Sequence, residues 1–162
     1  VEDNKPRIYS AQAAGCNPVV EAIKAGRELI KPQKPKTIAK SIAIGNPADG
    51  YQVIQSIRAT GGTGAAVTDA QIVDAIRLLA ETEGIFTEPA GGTTLAAAID
   101  LVNRGVIPRD ESIVVCVTGN GYKTTEAVAG TLTAPVRLSR SFKDFEAWWE
   151  SARGPAKAAL QV

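Results

Sequence analysis

Apolar positions in this chain recur with two periods. Between residues 68 and 83 they fall at Ile72, Val73, Ile76, Leu79 and Ala80, which is helical spacing. Thr68 with Gln71 three residues on forms a capping-box start, and Gly84 is placed to end the helix. Leu95, Ala98, Ile99 and Val102 predict a second helix with that face buried, ended by Gly105. Val53, Ile54 and Ile57 predict a third. Asn17-Pro18 predicts a helix start with Asn17 as cap, and Val19, Val20, Ala22 and Ile23 supply its apolar side. Near the end, Phe142, Phe145, Trp148 and Trp149 are spaced to dock a terminal helix.

Shorter runs behave differently. Residues 113–117, Ile-Val-Val-Cys-Val, are β-branched and bounded by polar and glycine residues. They predict an interior strand of a parallel sheet, buried on both faces, with Thr118 at its carboxyl end facing a cleft. Residues 7–15, 65–67 and 85–87 are further strand candidates. Residues 37–44 fit a helix or a strand equally, being too short for periodicity to decide. Helices alternating with strands predict an α/β fold, a mostly parallel sheet flanked by helices. We expect one domain over residues 1–162, with residues 131–162 as a carboxyl-terminal extension carrying the terminal helix.

Composition narrows the function. The chain has 162 residues, 44% of them apolar, and a net charge of +1. Such a balance favours neither nucleic acid nor an anionic membrane surface. No apolar run approaches the roughly 18 residues that span a bilayer. Histidine is absent, which excludes Ser-His-Asp triads, Cys-His dyads and histidine-ligated metals. Cys16 and Cys116 form neither a metal-spaced pair nor a disulfide framework; no metal site is expected, and a reducing cytoplasm suits them. Methionine is absent even at position 1, as expected of a processed chain or a fragment.

Few residues carry chemistry. Thr118 and Asn120 follow the apolar run, and Glu88 stands at the mouth of a helix. Ser41 precedes the Gly45-Asn46-Pro47 stop, and Lys40 and Lys123 are the lysines nearest these loops. Residues 61–64 and 91–94 are glycine-rich turns whose amides suit an anion, although neither matches a P-loop or a dinucleotide fingerprint. The Thr118–Gly121 turn also fits an ordinary glycine turn, and Glu88 also fits a carboxylate held by a helix dipole.

Five stretches together carry a resemblance: Gln12-Ala-Ala-Gly15, the run from Thr37 to Pro47 ending Ile-Gly-Asn-Pro, Ala66-Val-Thr-Asp69, Glu83-Gly-Ile-Phe-Thr-Glu-Pro-Ala90, and Val117-Thr-Gly-Asn-Gly-Tyr-Lys123. In order and spacing they resemble the carboxyl-terminal half of the threonine synthase family, pyridoxal-phosphate enzymes of fold type II. The resemblance covers roughly residues 7 to 130. It implies part of the large domain of such an enzyme, which converts O-phospho-L-homoserine and water to L-threonine and phosphate. It also implies Thr118 at the pyridine nitrogen of the cofactor, Ser41 against a ring face and Glu88 near the nitrogen end, with Gly119 and Asn120 also binding the cofactor.

The family's Schiff-base lysine, its phosphate cup and its small domain are missing from this sequence. No catalytic residue is therefore expected here, and the chain alone is expected to be inactive and without bound cofactor. The missing amino-terminal half is the implied partner, and the whole enzyme is implied to be a cytoplasmic homodimer. Two other readings remain: a threonine or serine dehydratase of the same fold type, and a non-catalytic α/β domain that binds a ligand or partner.

Overall fold

The computed structural model describes residues 5–132 and 136–153. The chain divides into two compact units, Val1–Gly130 and Thr131–Val162.

In the first unit, strand β1 (Ser10–Ala13) pairs in parallel with β2 (Gly64–Val67), Ser10 opposite Gly64. Helix α1 (Pro18–Lys24) and helix α2 (Gly50–Ala59) lie between them in sequence. Helix α3 (Asp69–Glu83) and helix α4 (Pro89–Asn103) follow β2 and pack on each other, and α4 also packs on both strands. The main core joins Ala13, Val67, Ile72, Ile76, Ala97 and Leu101. A smaller core joins Val19, Ala22, Ile54 and Ile57 beneath α1 and α2.

Several expectations from the hydrophobic pattern hold. Thr68 and Gln71 form both halves of the capping box on α3, and Gly84 ends that helix at φ 67°. Thr68→Ala should destabilise the unit by about 1 kcal/mol, read as a lower urea midpoint with unchanged slope.

Others are corrected. Asn17 makes no side-chain cap. The amides of Val19 and Val20 instead donate to Gln12 Oε1, each at 3.0 Å, so a strand residue caps the helix. Residues 37–44 hold only one 3-10 turn, Lys40–Ile42. On α4 the buried positions include Gly91, Gly92, Thr93, Ala96, Ala97 and Leu101, while Ile99 is exposed. Small residues form this face because α4 sits close to α3: a Cβ on Gly92 would lie 2.6 Å from Ile76 Cγ1 and 2.8 Å from the Ile72 carbonyl oxygen. Of the expected positions, Leu95 and Val102 are partly buried against the main core, and Ile99 is the one that faces outward.

The largest correction concerns residues 113–117. They form no strand, and residues 85–87 contribute only a single antiparallel bridge from Thr87 to Asn120. Ile113 and Val117 are exposed, and Val114 is 91% exposed. The β-branched character is present, but among the described residues no strand lies beside the run to accept its hydrogen bonds, and a strand exists only through pairing.

Helix α5 (Glu126–Ala129) closes the first unit. In the second unit, helix α6 (Phe142–Arg153) carries Phe145 stacked on Trp149, with ring centroids 6.0 Å apart. Phe142, Phe145 and Trp149 all keep exposed surface. No described helix is long and apolar enough to cross a membrane.

Candidate functional site

The turn after residue 117 is held against the entrance of α4. The Glu88 amide donates to the Gly119 carbonyl at 3.0 Å, and the Gly121 amide donates to the Phe86 carbonyl at 3.0 Å. Thr87, buried to 1%, donates its hydroxyl to the same Gly119 carbonyl at 3.0 Å. Asn120 Oδ1 accepts from the Tyr122 amide at 2.9 Å and caps the 3-10 turn Gly121–Lys123. Phe86 packs edge-on against Tyr122 and fills the space where Gly121 would carry a Cβ.

Glu88 lies under this turn with only 6% of its surface exposed. Its Oε2 is 3.6 Å from Lys123 Nζ, and Lys123 is largely exposed. Glu88 is also the first residue before α4, where the helix dipole favours a negative charge. Both effects stabilise a buried carboxylate, which would otherwise carry a large desolvation cost. Gly119 lies directly on that carboxylate: a Cβ there would sit 2.0 Å from Glu88 Oε1 and 2.2 Å from its Cδ. Only glycine fits.

The structure thus brings Glu88, Gly119 and Asn120 together. Thr118 is exposed at the end of the extended run, and among the described residues no hydrogen bond engages its hydroxyl. Ser41 is exposed on its 3-10 turn, whose neighbour Lys40 meets Glu126 of α5 at 3.5 Å. Neither glycine-rich turn is an open anion cradle. Residues 91–94 lie inside α4 and are buried, apart from half-buried Thr94. Gly62 abuts the Ile8 carbonyl oxygen, which would lie 1.8 Å from a Cβ. Cys16 is buried, and desolvation raises its thiol pKa, so it stays neutral; Cys116 is exposed and free. Among the described residues no group of three or more His, Cys, Asp or Glu residues could hold a metal ion.

Sequence reasoning missed Thr87 and Phe86, which lock the turn from below. Their only signal was adjacency to Glu88. It also left Lys123 without a role, because the ion pair joins residues 35 positions apart in the chain.

The remaining motif residues hold the surrounding loops. Asp69 accepts from the Thr37 hydroxyl at 2.5 Å and from the Ile38 amide at 3.2 Å, tying the start of α3 to the loop that carries Ser41. The Lys36 amide donates to the Gly15 carbonyl and the Gln33 amide to the Gly45 carbonyl, at 2.9 and 3.0 Å.

The family described as "Pyridoxal-phosphate dependent enzyme" matches residues 2–119. The chain is 40% identical over 137 residues to threonine synthase of Methanocaldococcus jannaschii, covering 84% of this chain and 34% of that protein. It therefore spans about a third of the length of that curated relative. Its fold is similar to that of threonine synthase from Escherichia coli, with TM-score 0.61 and 17% identity over 90% of this chain and 37% of the other. Maize serine racemase is similar at TM-score 0.60 and 24% identity, over 78% of this chain and 40% of that one. Below 25% identity these two likenesses establish the fold alone: α/β, of the type that such pyridoxal-phosphate enzymes adopt.

Proposed function

The chain belongs to the pyridoxal-phosphate dependent enzyme family, and from that premise we propose that it is the carboxyl-terminal part of a threonine synthase. The complete enzyme converts O-phospho-L-homoserine and water to L-threonine and phosphate. The observation that carries this reading is the 40% identity to a threonine synthase across 84% of the chain.

The residues present fit one end of the cofactor. Thr118 offers an exposed hydroxyl with no partner among the described residues, next to a glycine that lies on a buried carboxylate. When bound, pyridoxal phosphate supplies an electron sink for the substrate's reacting carbons. Thr118 would hold the pyridine nitrogen of the cofactor through its neutral hydroxyl, which would not keep a proton there as a carboxylate would. Glu88, through Gly119 and the Lys123 ion pair, holds the Thr118 backbone in place. Asn120 fixes the far side of the turn, and Ser41 would offer a small side chain toward one ring face. The glycine-rich turns of residues 61–64 and 91–94 are filled and do not serve the phosphate end. On this reading the lysine that binds the cofactor and its phosphate cup lie outside the chain, and the whole enzyme is a cytoplasmic homodimer.

Two assays test the reading. The 162-residue chain should release no phosphate from O-phospho-L-homoserine, and measurable turnover by it would overturn the assignment. The longer protein should release phosphate and threonine; a 2-oxo acid and ammonia in their place would identify a dehydratase. In that longer protein, Thr118→Ala should lower kcat/KM by about 1–3 kcal/mol of lost stabilisation, roughly five- to 150-fold. Thr118→Asp should move the absorption maximum of the bound cofactor. Unchanged rates and spectra in both variants would leave Thr118 a structural residue only.

A further inference from the structure

Two ion pairs flank the loops of the candidate site, and burial sets them apart. Lys40, beside Ser41, meets Glu126 at 3.5 Å, and both side chains are largely exposed. Lys123 meets Glu88 at 3.6 Å, but the Glu88 side chain keeps only 8% of its surface. Solvent screens the first pair, which is worth little. The second holds one carboxylate out of water, where its field reaches neighbouring groups with less screening.

That carboxylate has few partners. Glu88 precedes α4 yet makes no side-chain cap to it. Among the described residues no hydrogen bond reaches either carboxylate oxygen, and Lys123 is its one counter-charge. The other charged or titratable groups on these elements are engaged elsewhere. Tyr122 packs edge-on against Phe86, Lys40 and Glu126 face each other, and Asp100 pairs with Arg104 near the end of α4. The Glu88 carboxylate lies instead against the turn that carries Thr118: a Cβ on Gly119 would sit 2.0 Å from its Oε1. Its charge therefore stands one residue along the chain from Thr118.

The sign of that charge matters. On the proposed reading the Thr118 hydroxyl would hold the pyridine nitrogen and leave it unprotonated. A nearby negative charge favours the protonated, cationic form of a basic nitrogen. An uncompensated Glu88 would work against the hydroxyl. The Lys123 ammonium brings the pair to zero net charge and removes that pull. Charge rather than shape is what position 123 supplies, because its side chain is 66% exposed and fills no core.

We propose that Lys123 sets the protonation state of the cofactor's pyridine nitrogen by cancelling the charge of Glu88. Lys123 is a positioning residue: it acts through Glu88 and touches no reacting atom. The inference rests on Thr118 standing at that nitrogen in the proposed threonine synthase.

The test uses the longer protein loaded with pyridoxal phosphate carrying nitrogen-15 in the ring. The chemical shift of that nitrogen, followed against pH, gives the midpoint of its protonation without any turnover. Lys123→Met removes the charge and keeps most of the side-chain length. It should raise the midpoint by roughly one unit, a tenfold gain in the protonated form. Lys123→Arg keeps the charge and should keep the midpoint of the unsubstituted enzyme. Glu88→Gln combined with Lys123→Met leaves no charge at either position and should restore that midpoint. Lys40→Met breaks only the exposed pair and should leave the midpoint where it is. If Lys123→Met fails to fold with Glu88 uncompensated, Glu88→Gln alone decides, because the unopposed Lys123 should then lower the midpoint. An unmoved midpoint in Lys123→Met, or in Glu88→Gln where only that variant folds, overturns the proposal. So does an equal rise in Lys123→Arg, which would make the effect one of packing. Thr118→Asp separates this from the underlying reading, since a carboxylate there should raise the midpoint directly. A response to Thr118→Asp without one to Lys123→Met overturns the role of Lys123 alone. No response to either overturns the placement of Thr118 as well.

Discussion

Gly15→Ala should lower the stability of the first unit by about 3 kcal/mol, at the upper end of the usual overpacking cost. A Cβ at Gly15 would lie 1.8 Å from the Lys36 carbonyl oxygen and 2.7 Å from its carbonyl carbon. That neighbour is backbone, so no rotamer change relieves the collision. The Gly15 carbonyl also accepts the Lys36 amide at 2.9 Å, and separating the two segments would break that bond. For a unit of this size the loss corresponds to a fall in Tm of roughly 6–12 °C. Gly45→Ala should act in the same way, because a Cβ there meets the Gln33 carbonyl oxygen at 1.8 Å. A useful contrast is Gly61, where φ is +70° and nothing lies within 4 Å of a Cβ. Gly61→Ala carries only conformational strain, about 1 kcal/mol. Differential scanning calorimetry on the three variants checks the order. Equal losses would show that close approach is not what positions 15 and 45 require.

Gly119→Ala should reduce turnover of the longer enzyme by about a hundredfold, the scale set by a misplacement near 1 Å. A Cβ would stand 2.0 Å from Glu88 Oε1, and Glu88 cannot simply swing away. It is buried, its backbone amide is bonded to Gly119, and its carboxylate is paired with Lys123. The turn must then lift and carry Thr118 with it. A double-mutant cycle isolates the contact between Glu88 and Gly119. Glu88→Ala opens the space, so Gly119→Ala should cost far less in that background than in the unsubstituted enzyme. The cofactor's absorption maximum is the second readout, since a purely structural loss would lower the amount of folded enzyme without moving the band. Additive effects in the cycle would break the link between Glu88 and Thr118.

Much of the local structure was legible in the chain. The capping box of Thr68 and Gln71, the αL glycine at 84 and the buried pair Ile72 and Ile76 follow from backbone chemistry and a 3.6-residue period. These are interactions within one or two helical turns, and sequence order alone specifies them. The five motif stretches likewise contain the residues that later prove to hold the loops: Gln12, Gly15, Thr37, Gly45, Asp69, Glu88 and Gly119.

What each of them does was decided only by tertiary structure. Gln12 caps α1 because β1 runs beside that helix start, a relation that spacing does not encode. Glu88 meets Gly119 and Lys123 because the α4 entrance and the 118–123 turn converge in space. The face of α4 is chosen by the closeness of α3, which favours Gly92 and Ala96 over the larger Ile99. Residues 113–117 show the same division. Their composition specifies a strand, but a strand is a property of a pair, and the described residues hold no partner beside them. Propensity belongs to the segment; pairing, burial and the placement of Thr118 belong to the neighbours that the fold brings to it.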